Sequence, residues 1–141
     1  MHFEGEIGVI VGKRASWVNE EDALDHVDSI VPVNDVTART LQRRDSQWAR
    51  AKGFDTFCPV GAATPLAKVD LAALSVVTRV NGQEKQRGRS RDMVFSIPFL
   101  LSYVSRIMTL EPGDLLATGT PEGVAPLAPG DRVEVELPGL T

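Results

Sequence analysis

Apolar and polar positions alternate from the start of the chain. Phe3, Ile7, Val9 and Val11 fall on one face of an extended backbone, and Glu4 and Glu6 on the other. The β-branched run over residues 7–11 predicts a strand. A polar turn over 12–18 leads to a short helix over 20–27, with Asn19 as its cap and acidic residues in its first turn. His26 lies in that helix and is expected at the surface or the helix end. Residues 30–35 return as a strand, which Pro32 places at an edge or a strand start.

Residues 40–52 are polar and partly helical, with Trp48 as the expected anchor and Gly53 as the stop. The segments 74–80 and 83–87 flank Asn81-Gly82, the pair that supplies the positive φ values of a type I′ hairpin. The second arm is polar and expected to be exposed. A loop over 88–92 leads to a helix beginning near Ser96, where Pro98 is tolerated in the first turn. Phe99, Leu100, Tyr103, Val104 and Ile107 predict that this helix is buried on a broad face. Two Pro-Gly turns, Pro112-Gly113 and Pro129-Gly130, each feed a strand. The second of these, over 132–137, alternates cleanly, so its Glu134 and Glu136 are expected in solvent.

The chain has 141 residues, 43% of them hydrophobic and 24% charged, which bounds it to one domain with a real core. A net charge of −4 leaves no basic face for nucleic acid. The lone cysteine, Cys58, rules out an internal disulfide and fits a reducing cytoplasm; its surroundings read as buried and structural. The apolar run over 93–104 is too short and too interrupted to cross a membrane.

Two carboxylates side by side on a strand repel unless one holds a proton or a cation sits between them. Asp35, at the end of the second strand, offers a third hard oxygen. Such a set suits Mg²⁺ or Mn²⁺ far better than Zn²⁺. An E-x-E on a strand is also a common solvent-facing edge, so spacing alone does not decide between these readings.

Four segments bear on that choice. They are Glu4-Gly5-Glu6, Asn34-Asp35-Val36-Thr37-Ala38-Arg39, Phe95-Ser96-Ile97-Pro98-Phe99-Leu100-Leu101-Ser102-Tyr103-Val104-Ser105 and Thr118-Gly119-Thr120-Pro121-Glu122-Gly123-Val124. Together they resemble the catalytic domain of the fumarylacetoacetate hydrolase family, in that family's order and spacing and over essentially the whole chain. The resemblance implies an α+β, mainly β fold: layered mixed sheets of the roll type with a few short helices. It implies that Glu4, Glu6 and Asp35 hold a divalent ion, Mg²⁺ or Mn²⁺, which chelates a 2-oxo-acid or 1,3-dicarbonyl substrate. Lys52 matches the family lysine on that substrate, and Gln42 a glutamine nearby. Thr120 matches a threonine that meets the substrate carboxylate, with Gly119 and Gly123 letting the backbone approach. Arg39 is expected to pair with Asp35 or the substrate. A homodimer or larger assembly is implied, with no nucleic-acid or membrane partner.

By motif the likeness is to the branch of acylpyruvases, oxaloacetate decarboxylases and hydroxyhepta-diene-dioate isomerases, some of which serve aromatic compound catabolism. One metal-chelated enolate chemistry serves C–C hydrolysis, decarboxylation and keto–enol isomerisation alike. In the family a preceding segment supplies a His and a Glu that activate water, and a final strand follows. Neither stands in this sequence, so an enzyme is weighed against a truncated, metal-binding remnant without catalysis, and against a β-rich domain without metal. The sequence departs from the family at Asp28-Ser29-Ile30 and at Ala62.

Overall fold

β1 (Gly5–Val11) runs antiparallel to β2 (Val27–Asn34) on one side and to β6 (Leu115–Ala117) on the other. In this computed structural model residues 1–140 are described; Thr141 lies outside them. A two-residue β3 (Thr64–Pro65) completes a sheet of order β3-β2-β1-β6. The second sheet, of order β5-β4-β7, comprises β4 (Ser75–Val80), β5 (Gln83–Arg89) and β7 (Val133–Glu136). The fold is mainly β with a few short helices. Its pairings are antiparallel throughout, a narrower pattern than the mixed sheets the resemblance implied.

The two sheets close over one apolar core. Ile7, Val9 and Ile30 from the first meet Val76 from the second and Leu74 just before it, and Ile97 and Leu137 seal the layer. A second cluster, Val11, Ala15, Val18, Ala23, Leu101 and Leu110, fills the space beneath the helix α3 (Ile97–Ile107). The hairpin is as expected, with Asn81 at φ 52° and Gly82 at φ 78°. Both Pro-Gly turns also recur as built devices. Asp114 accepts from the Glu111 N–H at 2.7 Å, and Asp131 from the Ala128 N–H at 2.8 Å.

The structure corrects several expectations. Residues 20–26 form a 3₁₀ helix, without a side-chain cap bond from Asn19, and β2 begins directly after it. Pro32 lies within an inner strand, paired with Ile7. Its carbonyl accepts from the Gly61 N–H at 2.9 Å, so its missing donor faces the side where β3 has ended. The ladder with β1 is untouched. Residues 39–52 split into α1 (Arg39–Arg44) and α2 (Ala49–Lys52). Trp48 is 56% exposed, and the anchor is the fully buried Ala51, whose carbonyl accepts from the Ala38 N–H.

The buried stripe of α3 is Ile97, Leu101, Ser102 and Ser105, so Phe99, Tyr103 and Ile107 do not form it. The two serines decide this. Ser102 donates to the Val18 carbonyl at 2.8 Å, and Ser105 Oγ accepts from the Val18 N–H at 3.0 Å. These bonds lock the helix against the 12–18 loop and turn its aromatic side outward. Phe95 and Phe99 stack at 4.7 Å and Phe99 and Tyr103 at 6.1 Å, the half-buried Phe99 lying between the exposed Phe95 and Tyr103. Among the described residues no helix is long and apolar enough to cross a membrane.

Candidate metal and substrate site

The start of β1 and the end of β2 hold one another through side chain and backbone. The Glu4 N–H donates to Asn34 Oδ1 at 3.0 Å, and the Asp35 N–H donates to the Glu4 carbonyl at 2.8 Å. This register brings Glu4, Glu6 and Asp35 together, with one carboxylate oxygen of each within 4.8 Å of the others. Glu4 and Glu6 are 6% and 3% exposed, and Asp35 is half-buried. The second E-x-E serves as a control. Glu134 and Glu136 pair with Arg132 and Arg79 at the surface.

Two cations face the three carboxylates. Lys52 Nζ bonds Asp35 Oδ2 and lies 3.2 Å from Glu4 Oε2. Arg39 bonds the other oxygen of Glu4 and also Gln42 Oε1, so its partner is Glu4 rather than Asp35. Because α1 and α2 are short and fold back over the end of β2, one small segment delivers Arg39, Gln42 and Lys52 to the same place. The remaining bases of that run behave as a solvated face, as Arg50 does in pairing with Asp45.

Burial pushes the Glu6 carboxyl up to about 7, with the nearby Asp35 and Glu4 charges adding to it and the Gly119 N–H and Lys52 opposing. Burial works against the Lys52 charge, but its bonds to Asp35 and Glu4 hold it above the ordinary lysine range. Cys58 is half-buried rather than buried, in a left-handed conformation at φ 56°. Burial raises its thiol, as do the charges of Asp35 and Glu6, so the thiolate is disfavoured there. His26 closes the 3₁₀ helix, where its Nδ1 lies 3.0 Å from the Arg14 carbonyl.

After β6 the chain continues beside β1. Thr118 donates its N–H and its hydroxyl to the Ile7 carbonyl, at 3.2 and 2.8 Å. One residue on, the Gly119 N–H donates to Glu6 Oε2 at 2.8 Å, at φ 99°. Thr120 then donates its hydroxyl to the Gly5 carbonyl at 2.9 Å. A cavity of about 300 Å³ adjoins this segment, walled by Ile7, Val76, Met93, Phe95, Leu100 and Gly119. None of the three carboxylates lines it, so cavity and cluster are separate features that share the Gly119 backbone.

Sequence reasoning missed one residue that sits beneath the cluster. Gln86, on β5, is 2% exposed and bonds the backbone of Gly5 and the 120–121 segment. No signal marked it, because β5 reads Gln-Glu-Lys-Gln-Arg-Gly-Arg, with no apolar residue to reveal its inward face.

The family model described as the fumarylacetoacetate (FAA) hydrolase C-terminal domain matches residues 1–141. The mouse mitochondrial oxaloacetate tautomerase FAHD1 is 42% identical over 145 residues, covering 99% of this chain and 66% of that protein. The crystal structure of 2-hydroxyhepta-2,4-diene-1,7-dioate isomerase from Mycobacterium marinum is 43% identical at a TM-score of 0.93, covering 99% of this chain and 55% of that one. Fumarylpyruvate hydrolase from Pseudomonas aeruginosa, in complex with Mn²⁺ and pyruvate, is 33% identical at a TM-score of 0.93, covering 99% and 62%. The chain thus spans between about half and two thirds of the length of these relatives. With its whole described length carrying both the family's sequence and its fold, the chain belongs to the fumarylacetoacetate hydrolase family.

Proposed function

We propose that residues 1–141 form the catalytic domain of a divalent-metal-dependent enzyme acting on a small 2-oxo acid or 1,3-dicarbonyl compound. The reaction is C–C bond hydrolysis, decarboxylation or keto–enol isomerisation. One observation carries this: three carboxylates, two of them buried, converge within 4.8 Å of one another. The donor set fits the ion. It is made of hard oxygens with no imidazole or thiolate among them, as Mg²⁺ or Mn²⁺ prefers. The Mn²⁺ held by the Pseudomonas aeruginosa relative supports the same choice.

Glu4, Glu6 and Asp35 would hold the ion, which when bound supplies Lewis acidity toward a substrate carbonyl. Lys52, positioned by Asp35 and Glu4, brings a positive charge to the oxygen on which negative charge builds. Arg39 orients Glu4 and fixes Gln42 by bonding its Oε1, so that the Gln42 amide nitrogen would serve as a donor to the substrate. The Thr120 hydroxyl and the Gly119 N–H are already committed to Gly5 and Glu6. The substrate carboxylate is therefore assigned to the Thr120 backbone N–H. A second copy of the chain is the proposed partner, a homodimer covering the exposed Phe95 and Tyr103 and the half-buried Phe99 stacked between them, and the cytoplasm is the proposed location, suited to the single free thiol.

The test is binding. Chelator-treated protein should bind Mn²⁺ in calorimetry and melt at a higher temperature with it, since a ligand of the native state stabilises that state. Glu6→Ala, still folded, should lose both effects. An unchanged melting temperature and no binding heat in the parent chain would sink the proposal. Oxaloacetate and acylpyruvates assayed side by side would then separate the three reactions.

A further inference from the structure

We infer that Gln86 is a positioning residue for the carboxylate cluster, setting the backbone of Gly5 between Glu4 and Glu6 and tying it to the segment that holds Glu6. Gln86 comes from the far sheet, on a strand whose other side chains are largely exposed. Its Oε1 accepts from the Gly5 N–H at 3.0 Å, while its Nε2 donates to Thr120 Oγ1 at 2.8 Å and to the Pro121 carbonyl at 2.9 Å. Thr120 Oγ1 donates onward to the Gly5 carbonyl. Both backbone polar groups of Gly5, one from each peptide that flanks it, are thereby fixed by one closed ring of bonds. The same ring anchors the residues next to Gly119, whose N–H bonds Glu6.

Glu4 and Glu6 both leave the backbone beside Gly5, so a rotation of that residue's peptides swings the two carboxylates apart. A neutral amide suits the task because it donates and accepts at once, without adding charge beside the carboxylates. Outer-shell bonds of this kind orient ligating groups, and their loss costs about 10- to 100-fold in metal affinity. Thr78 offers a matched control. Its hydroxyl also packs on Gly5 but has no hydrogen-bond partner.

The inference rests on the metal reading above, and its test uses two readouts on the whole chain. Gln86→Leu should weaken Mn²⁺ binding by about 10- to 100-fold in calorimetry and speed amide exchange at Gly5 and Gly119 in metal-free protein. Thr78→Val should leave both within about twofold, because it disturbs the same packing without breaking a bond. Should Gln86→Leu not fold, Gln86→Met carries the same test along an unbranched side chain. A folded variant with parental Mn²⁺ affinity and parental exchange overturns the positioning role. So does failure of both variants to fold, since the side chain would then be holding the fold rather than the carboxylates. Faster exchange in the Gln86→Leu variant, alongside a parent chain that binds no Mn²⁺, would instead overturn the metal reading and leave Gln86's hold on Gly5 supported.

Discussion

Gly119 donates its backbone N–H to Glu6 Oε2 at 2.8 Å, yet the Glu6 carboxyl is still pushed up to about 7 by burial and by its neighbours Asp35 and Glu4. The sign of the consequence follows. A carboxyl raised in the folded state binds a proton there that the unfolded chain has already released. Stability therefore falls as pH rises from the unfolded value to about 7. The loss is on the order of 3 kcal/mol from the shift alone. Asp45, Glu84 and Asp131 are held below the usual range by their partners and act at lower pH, while His2, which burial and Arg39 hold below its ordinary value of 6.5, acts with the opposite sign just below that value and partly offsets Glu6. Urea midpoints of chelator-treated protein should therefore decline between about pH 4.5 and 7, and Glu6→Gln should flatten that decline. Mn²⁺ must displace the proton, so its apparent affinity should climb over the same range and level off above it. An equal decline in Glu6→Gln would assign the effect to other groups.

Gly5 is required for space. A Cβ there would stand 1.8 Å from Thr78 Oγ1 and 3.4 Å from Gln86 Oε1. Gly5→Ala should destabilise by about 1–3 kcal/mol or more, as overpacked cores do. Adding Thr78→Ala removes the offending hydroxyl and should recover part of that loss. The double mutant melting no higher than Gly5→Ala would show that the clash lies elsewhere.

How far the sequence discloses this site depends on which force places each residue. Alternation along β1 reveals the Phe3-to-Val11 face because burial of apolar side chains places it, and Asn81-Gly82 reveals the hairpin because only positive φ closes it. Glu4, Glu6 and Asp35 are legible as a set through their likeness to a family, since the register that joins them runs through the Asn34 side chain and one backbone bond. Polar bonding is where the pattern misleads. Ser102 and Ser105 choose the inward stripe of α3 against the more apolar aromatic one, and Gln86 points inward from a strand of polar residues. No hydrophobic period carries either fact.

The outward stripe of α3 has its own expected outcome. Tyr103 is 55% exposed and Ile107 64%, beside the stacked Phe95 and Phe99. Two copies related by a two-fold axis would bury this ladder against itself. Sedimentation at micromolar concentration should show a dimer, and Tyr103→Glu should convert it to a folded monomer by setting like charges face to face. A parental dimer in the variant would move the interface off this helix.

Lys52 separates catalysis from metal holding. Its ammonium bonds Asp35 and Glu4, so it competes with any cation for those oxygens rather than helping to bind one. On the proposed function its use would lie in the transition state, where negative charge would gather on the substrate oxygen and a fixed positive charge counts for more than in the ground state. Lys52→Met, close in length and apolar, should lower kcat by about 10²–10³-fold, the usual cost of one such donor. Mn²⁺ affinity should stay level or tighten. Asp35→Asn should do the reverse first, weakening Mn²⁺ binding because an amide oxygen carries no full charge, and losing activity in proportion to metal occupancy. Calorimetry for the metal and initial rates at saturating Mn²⁺ distinguish the two. An Asp35→Asn protein that recovers parental kcat with excess metal would confirm a holding role for that carboxylate. A Lys52→Met protein with parental kcat would remove the lysine from the reaction and leave it a counter-ion to Glu4 and Asp35.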